Sequence, residues 1–336
     1  MLNTTLELIF TIAEVLIALA CCLGNLLVMW AVKTCHSMRQ QPTFCLIVSL
    51  AVADFLVGAV VVPLAVLVDG RVETTFHVCL FLSCVMIVLS QASVHSLLAI
   101  AIDRYLRVYI PLRYKLLVTQ RRLWAVVGIC WVTAGILGLI PMFGWYRHET
   151  LMQMISTNST TLTCLFLSVI PMSYLVYFNF LTCMLLPILI MMTLYGYIFK
   201  SIHQHLQKGS VIGSESPSYY QKERSLACSL VLVLGLFALC WLPLQFMNLA
   251  AFFGEPSTVP HEAFYVGIFL CHANSAVNPV IYAFKVAKIK AAYKMIWRRY
   301  VLCRTEEQFT KETVATENYS SCVATSTTRN DQVRLA

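Results

Sequence analysis

Charge is what this sequence has least of. Asp, Glu, Lys and Arg make up 12% of its 336 residues and hydrophobic residues 59%, whereas a soluble domain carries roughly 25% charged residues. A chain so poor in charge cannot cover a single core with polar surface, which excludes an ordinary water-soluble globule. A disulfide scaffold is excluded too, because most of the fourteen cysteines lie inside apolar runs, where a thiol packs as a small hydrophobe. No inverted repeat is evident, nor a metal-ligand cluster, nor a nucleophile–base pair at motif spacing. A transporter or an enzyme therefore has no support in the sequence.

What is present is a series of seven apolar runs, each long enough for the roughly 20 residues that span a bilayer. They cover about Leu8 to Val32, Thr43 to Val68, Val78 to Val108, Leu123 to Trp145, Tyr174 to Phe199, Leu226 to Phe253 and Ala263 to Phe284. The expected fold is an all-α membrane protein: a seven-helix transmembrane bundle over residues 1–304, then a disordered Ser/Thr-rich tail over 305–336. The first run lacks a basic start and a small-residue cleavage site, so it reads as a span and not as a signal peptide. With the N-terminus outside, only Arg71 and Arg147 of the 24 Lys and Arg residues fall on the outer side. The other basic residues sit in or beside inner loops, or follow the last span, which puts the C-terminus in the cytoplasm. The net charge of +8 is thus topological, and no nucleic-acid partner is needed to explain it. Cys79 and Cys164 are the only cysteines placed outside, where oxidation is permitted, and a bridge between them is predicted. Asn3 and Asn158 stand in outer glycosylation sequons, while Asn318 lies inside and should stay bare.

Ionisable residues within spans are expensive and point to function. Asp54 stands in mid-span two, where Asn25, Ser93, Asn274 and Asn278 could face it. Either these oxygens and the Asp54 charge hold a small cation such as sodium, or a protonated Asp54 joins a structural network. Glu14 and Asn25 are eleven residues apart, close to three helical turns, so they share a face. Glu14 then matches the depth of His272, and a hydrogen bond between them is expected. His95 has no obvious partner and reads as a neutral histidine bonded to a neighbouring helix. Asp103-Arg104-Tyr105 closes span three opposite Glu223. An Arg104–Glu223 pair would form a switch between helices three and six; a solvated charge cluster is the plainer alternative.

Taken in order, Gly24-Asn25, Leu50-Ala51-Val52-Ala53-Asp54, Asp103-Arg104-Tyr105, Trp131, Pro187 with Tyr195, Cys240-Trp241-Leu242-Pro243 and Asn278-Pro279-Val280-Ile281-Tyr282 resemble the rhodopsin-like G-protein-coupled receptors over roughly residues 8–304. That resemblance implies that Trp241 lies beneath a ligand and that Tyr195 and Tyr282 rearrange near Arg104 on activation. It also implies a short cytoplasmic surface helix over about 285–300, with Cys303 beyond it as a palmitoylation site. Pro187, Pro243 and Pro279 each remove a backbone hydrogen bond in mid-helix and should kink it.

Within that class two absences narrow the ligand. Span seven has no lysine for a Schiff base, which excludes an opsin. No acidic residue lies between Cys79 and His95, which removes the counter-ion that amine receptors use. A neutral, polar ligand fits better. Asn248, two turns above Trp241, offers a donor and an acceptor to a purine, and Phe166 stands where the adenosine receptor family stacks an aromatic ring. By this resemblance His272, Ser90, Gln91 and Cys271 line a sugar end, with Glu14 behind His272, and Leu244, Ile268, Leu175 and Asn179 surround the base. Leu167 stands where the family often has a glutamate, Gln245 where a histidine or serine is usual, and Cys271 where a hydroxyl is usual. Leu167 resembles the type-three receptor, and spans one to four resemble type one. Both imply a plasma-membrane receptor for adenosine that couples to inhibitory Gi/o proteins and lowers cyclic AMP; type three is preferred by a small margin, with type one, or a receptor of the same class for another small neutral ligand, as the alternative. Arrestin and receptor kinases are expected partners of a phosphorylated tail, unless the tail is merely solvated.

Overall fold

The computed structural model describes residues 2–209, 217–254 and 259–300. Among the described residues, seven helices are long and apolar enough to cross a membrane: Leu8–Thr34, Phe44–Leu67, Phe76–Tyr109, Gln120–Gly138, Tyr174–Gln204, Val231–Phe253 and Glu262–Phe284, here spans one to seven. Apolar side chains such as Leu16, Ile129 and Ile136 point out of the bundle, whereas Glu14, Asn25, Asp54 and Asn278 are buried inside it. This arrangement suits a hydrocarbon solvent, in which the helix satisfies its own backbone and polar side chains must find partners within the bundle.

Span four is shorter than the apolar run implied. It stops at Gly138, and Ile140–Phe143 continues as a 3₁₀ turn closed by Gly144 at φ +118°. Pro141 brings no N–H to this turn, and a residue with a Cβ would be strained at Gly144, so the helical pattern ends while the apolar composition runs on. Gly138 itself is a contact point. A Cβ there would come within 2.6 Å of Val88 Cγ2 and 2.8 Å of the Val88 nitrogen, so spans three and four touch nearly backbone to backbone.

Two segments widen to π-helix, Val57–Val61 in span two and Tyr174–Leu185 in span five. The second lies directly before Pro187, whose ring cannot supply the N–H an α-helix would use. Thr182 Oγ1 donates to the Tyr177 carbonyl five residues back, at 3.3 Å. Pro243 and Pro279 stand inside the helices of spans six and seven.

At one end of the bundle, β1 (Asp69–Thr74) pairs antiparallel with β2 (Leu162–Leu165), with Asp69 opposite Leu165 and Glu73 opposite Thr163. The predicted bridge is present there: Cys79 at the start of span three and Cys164 in β2 are disulfide-bonded, with their Cα atoms 5.6 Å apart. A second apolar cluster gathers round this bridge, including Phe76, Leu80, Val169 and Tyr174, separate from the main core. We call this the disulfide end. Asn158 is exposed there, at φ 51°, just past the helix His148–Ser156.

The opposite, Arg104 end carries a helix Pro111–Leu117 and the surface helix Ala287–Tyr300. Ile289, Ala292 and Ile296 of the surface helix are buried while Trp297 is exposed, the amphipathic pattern expected of a helix lying along a membrane. The side chains of Asn3 and Glu223, residue Cys303 and the tail from 305 onward lie outside the described residues.

Candidate functional site

Helical spacing builds one wall after another. Trp241, Leu244 and Asn248 in span six follow each other by three and four residues and share a face, as do Ile268, Cys271 and His272 in span seven. Ser90 and Gln91 come from span three, Leu175 and Asn179 from the π segment of span five, and Glu14 from span one. Phe166 follows β2, two residues after the bridged Cys164, and its N–H donates to the Val68 carbonyl at 3.2 Å. All twelve of these side chains, the whole set expected to meet a ligand, line a single cavity of about 550 Å³ beneath the disulfide end.

Its polar groups are incompletely matched. Glu14 Oε2 lies 2.7 Å from His272 Nδ1, both residues buried; this is the pairing read from helical depth. Gln91 Nε2 donates to Asn179 Oδ1 at 2.7 Å, and Gln245 Nε2 reaches Met184 Sδ at 3.4 Å. Glu14 Oε1, Gln91 Oε1 and Gln245 Oε1 are then buried acceptors with no hydrogen bond, and Trp241 Nε1 is a buried donor with none. Leaving such groups unmatched costs about 1–3 kcal/mol each, so side chains around this cavity favour a ligand rich in N–H and O–H groups. Among the described residues Arg147 is the only Lys or Arg that lines it, and its Nη1 donates to the Leu167 carbonyl at 3.0 Å. Arg147, Met184 and Tyr265 were missed by the sequence reading; none carries a pattern that would have marked it.

Ser93, Asn274 and Ser275 line the same cavity, which leads to Asp54. Asp54 Oδ1 accepts from Ser275 Oγ at 2.9 Å and Ser93 Oγ at 3.3 Å, and Oδ2 accepts from Asn278 Nδ2 at 2.7 Å. The hydroxyl from span seven is thus that of Ser275. Asn274, expected in the cluster, borders the cavity without a hydrogen bond to Asp54; the two are neighbours in sequence, and one residue of helix turns the side chain by about 100°. Asn25 binds the carbonyls of Cys21 and Ser275, at 2.9 and 3.0 Å, and leaves its own Oδ1 buried without a partner. A carboxylate, two hydroxyls and a spare amide oxygen are the hard donors that fit a small hard cation.

Residues 24–282 match the family model described as 7 transmembrane receptor (rhodopsin family). The chain is 43% identical over 301 residues to adenosine receptor A3 of Canis lupus familiaris, covering 89% of this chain and 94% of that one. It is 43% identical over 303 residues to adenosine receptor A3 of Ovis aries, covering 90% and 94%. Against adenosine receptor A3 of Bos taurus it is 44% identical over 292 residues, covering 87% and 90%. The chain belongs to the adenosine receptor family. It is accordingly a multi-pass receptor of the plasma membrane and a transducer, not an enzyme.

In this adenosine-family receptor the Arg104 end is held by bonds the sequence did not announce. Asp103 accepts from the Tyr114 hydroxyl at 2.7 Å and from Thr43 Oγ1 at 3.1 Å, and Arg104 Nε stands 3.9 Å from the same carboxylate. Burial, and then the Asp103 charge, push the Tyr114 hydroxyl up to about 12, so it remains a donor at any physiological pH. Tyr105 stacks on Tyr109, with ring centroids 5.3 Å apart. Tyr195 and Tyr282 are buried in the bundle, and the Tyr282 hydroxyl has no hydrogen bond.

Proposed function

We propose that this receptor binds adenosine in the 550 Å³ cavity and couples to inhibitory Gi/o proteins as a type-three receptor, lowering cyclic AMP. The observation that carries the ligand is the joint placement of Asn248, Phe166 and the Glu14–His272 pair on one cavity. Asn248 makes no side-chain hydrogen bond among the described residues and offers its amide to the amine and ring nitrogen of adenine. Phe166 supplies the stacking face, and His272 with the unmatched acceptors around it takes ribose hydroxyls. Leu167 at the rim, where an acid would add a polar contact, and the three relatives named adenosine receptor A3 support the subtype.

The N-terminus is outside, so the disulfide end is extracellular and Arg104 faces the cytoplasm. Asn3 and Asn158 then carry glycans and Cys303 an acyl chain, and the tail meets kinases and arrestin. Activation is a population shift. Ser90 and Arg104 are separated by about 21 Å of helix at 1.5 Å per residue, and Trp241, the Asp54 cluster and Tyr282 bridge that distance. A sodium ion at Asp54, Ser93 and Ser275 favours the resting state. An agonist that binds the open arrangement more tightly frees Arg104, from Glu223 as well as from Asp103.

The test is cyclic AMP in transfected cells treated with forskolin and adenosine, with pertussis toxin as the control. A toxin-sensitive fall is expected; a rise would overturn the coupling. An unaltered adenosine response in Asn248→Ala would move the ligand to another small neutral molecule. Nucleotides are disfavoured because, among the described residues, Arg147 is the only Lys or Arg on the cavity.

A further inference from the structure

A second cavity, of about 290 Å³, lies on the outside of the bundle in the cleft between spans three and four. Its walls are Leu98, Ile102, Val126 and Ile129 among others, and Ile102 and Ile129 are 42% and 64% exposed, so it opens into the hydrocarbon of the bilayer. Two polar side chains interrupt this apolar wall. His95 stands at the deep end, and Thr133 faces the same space. His95 Nδ1 is enclosed, within electrostatic reach of the Gln91 carbonyl one turn back but without a formed hydrogen bond. Neither His95 nor Thr133 makes a side-chain hydrogen bond to a described residue. A neutral imidazole carries one N–H and one bare nitrogen, and the side of the His95 ring that lines this cleft meets only lipid. An unmatched imidazole nitrogen in hydrocarbon is costly, which makes this a position that calls for a hydroxyl donor.

Length and depth define the donor. The cavity runs from His95 to Leu106 and Val118, eleven residues of helix or about 16 Å, from mid-bilayer to the Arg104 interface. A phospholipid has no donor so deep, and cholesterol carries its hydroxyl at the interfacial end alone. A rigid lipid with one hydroxyl at each end fits both the apolar walls and the deep acceptor, and its ring system loses little conformational freedom on binding. We propose that this cleft binds a side-chain-hydroxylated sterol, with its ring hydroxyl at the interface and its side-chain hydroxyl hydrogen-bonded to the His95 imidazole. Because Asp103 also borders the cavity, the bound sterol would rest against the cluster that holds Arg104.

The probe is tritiated 25-hydroxycholesterol, bound to the full-length receptor in phosphatidylcholine nanodiscs and competed with unlabelled lipids. Saturable binding is expected, with cholesterol about tenfold weaker, the upper end for one hydrogen bond. His95→Leu should reduce the affinity for 25-hydroxycholesterol to that for cholesterol, while His95→Gln, which keeps an acceptor, should retain most of it. Far-from-site folding is checked by disulfide-dependent surface expression. Equal affinity for the two sterols, full affinity in His95→Leu, or equal displacement by a phosphatidylcholine with a mid-chain hydroxyl would each overturn the proposal. Direct binding requires no agonist, so its result is independent of whether adenosine is the ligand.

Discussion

Removing His272 should cost more than removing the charge of its partner. Among the described residues, His272 Nδ1 is the only hydrogen-bond partner of Glu14, at 2.7 Å, and Glu14 Oε1 has none. The two side chains are 9% and 1% exposed, so solvent does little to screen the change. His272→Ala therefore leaves a carboxyl with both oxygens buried and unmatched, a destabilisation of about 1–3 kcal/mol for each group so orphaned. Glu14→Gln keeps a polar group within reach of the imidazole and should cost about 1 kcal/mol. The double variant Glu14→Ala with His272→Ala should cost less than the sum of the single ones, because neither orphan remains. Equilibrium unfolding of the purified receptor in mixed detergent micelles reads all four states of the cycle. Additive losses, or a His272→Ala protein as stable as Glu14→Gln, would refute the claim that the pair holds span one to span seven.

Asp54→Asn should remove the ability of sodium chloride, compared with choline chloride, to weaken agonist binding; a persisting sodium effect would place the cation elsewhere. Tyr114→Phe deletes the 2.7 Å bond to Asp103 and should cost about 1–3 kcal/mol of local stability, raising basal nucleotide exchange on the G protein. The sign of the Tyr114 shift makes a further point. Its folded value is raised, from 10.0 to about 12, so its contribution is complete below pH 10 and is lost only as pH climbs towards 12. Basal exchange measured between pH 6 and 9 should carry no Tyr114 titration. Gly138→Leu should abolish surface expression, because its Cβ alone would meet the Val88 backbone at 2.8–2.9 Å.

The spans were legible because a bilayer imposes a simple demand on composition, and the bridge because topology left only Cys79 and Cys164 outside. Glu14 and His272 could be paired because helical rise converts sequence position into depth. Other features left no such trace. The β1–β2 pairing is made by backbone groups, and Asp69 to Thr74 has no alternating apolar pattern. The choice between Asn274 and Ser275 at Asp54 depends on a rotation of span seven that sequence periodicity does not fix. Tyr114 and Thr43 reach Asp103 from two separate segments, and no spacing joins them. Span four misled because apolar residues continue past Gly138 while Pro141 and Gly144 end the helix.

The π segment of span five gives the cavity wall a property that a plain α-helix lacks. Leu175 and Asn179 both lie within Tyr174–Leu185, where each turn holds more residues than an α-turn. Returning a single wide turn to α geometry would rotate the helix before it by about 100°, with its far end still anchored at Pro187. The wall can thus exchange the side chains it presents with an advance of about 1.5 Å along its axis, without leaving the bundle. Span five is in this sense a dial set into a fixed frame, whereas loss of one residue between 174 and 185 would remove a wide turn and leave both flanks facing as they do.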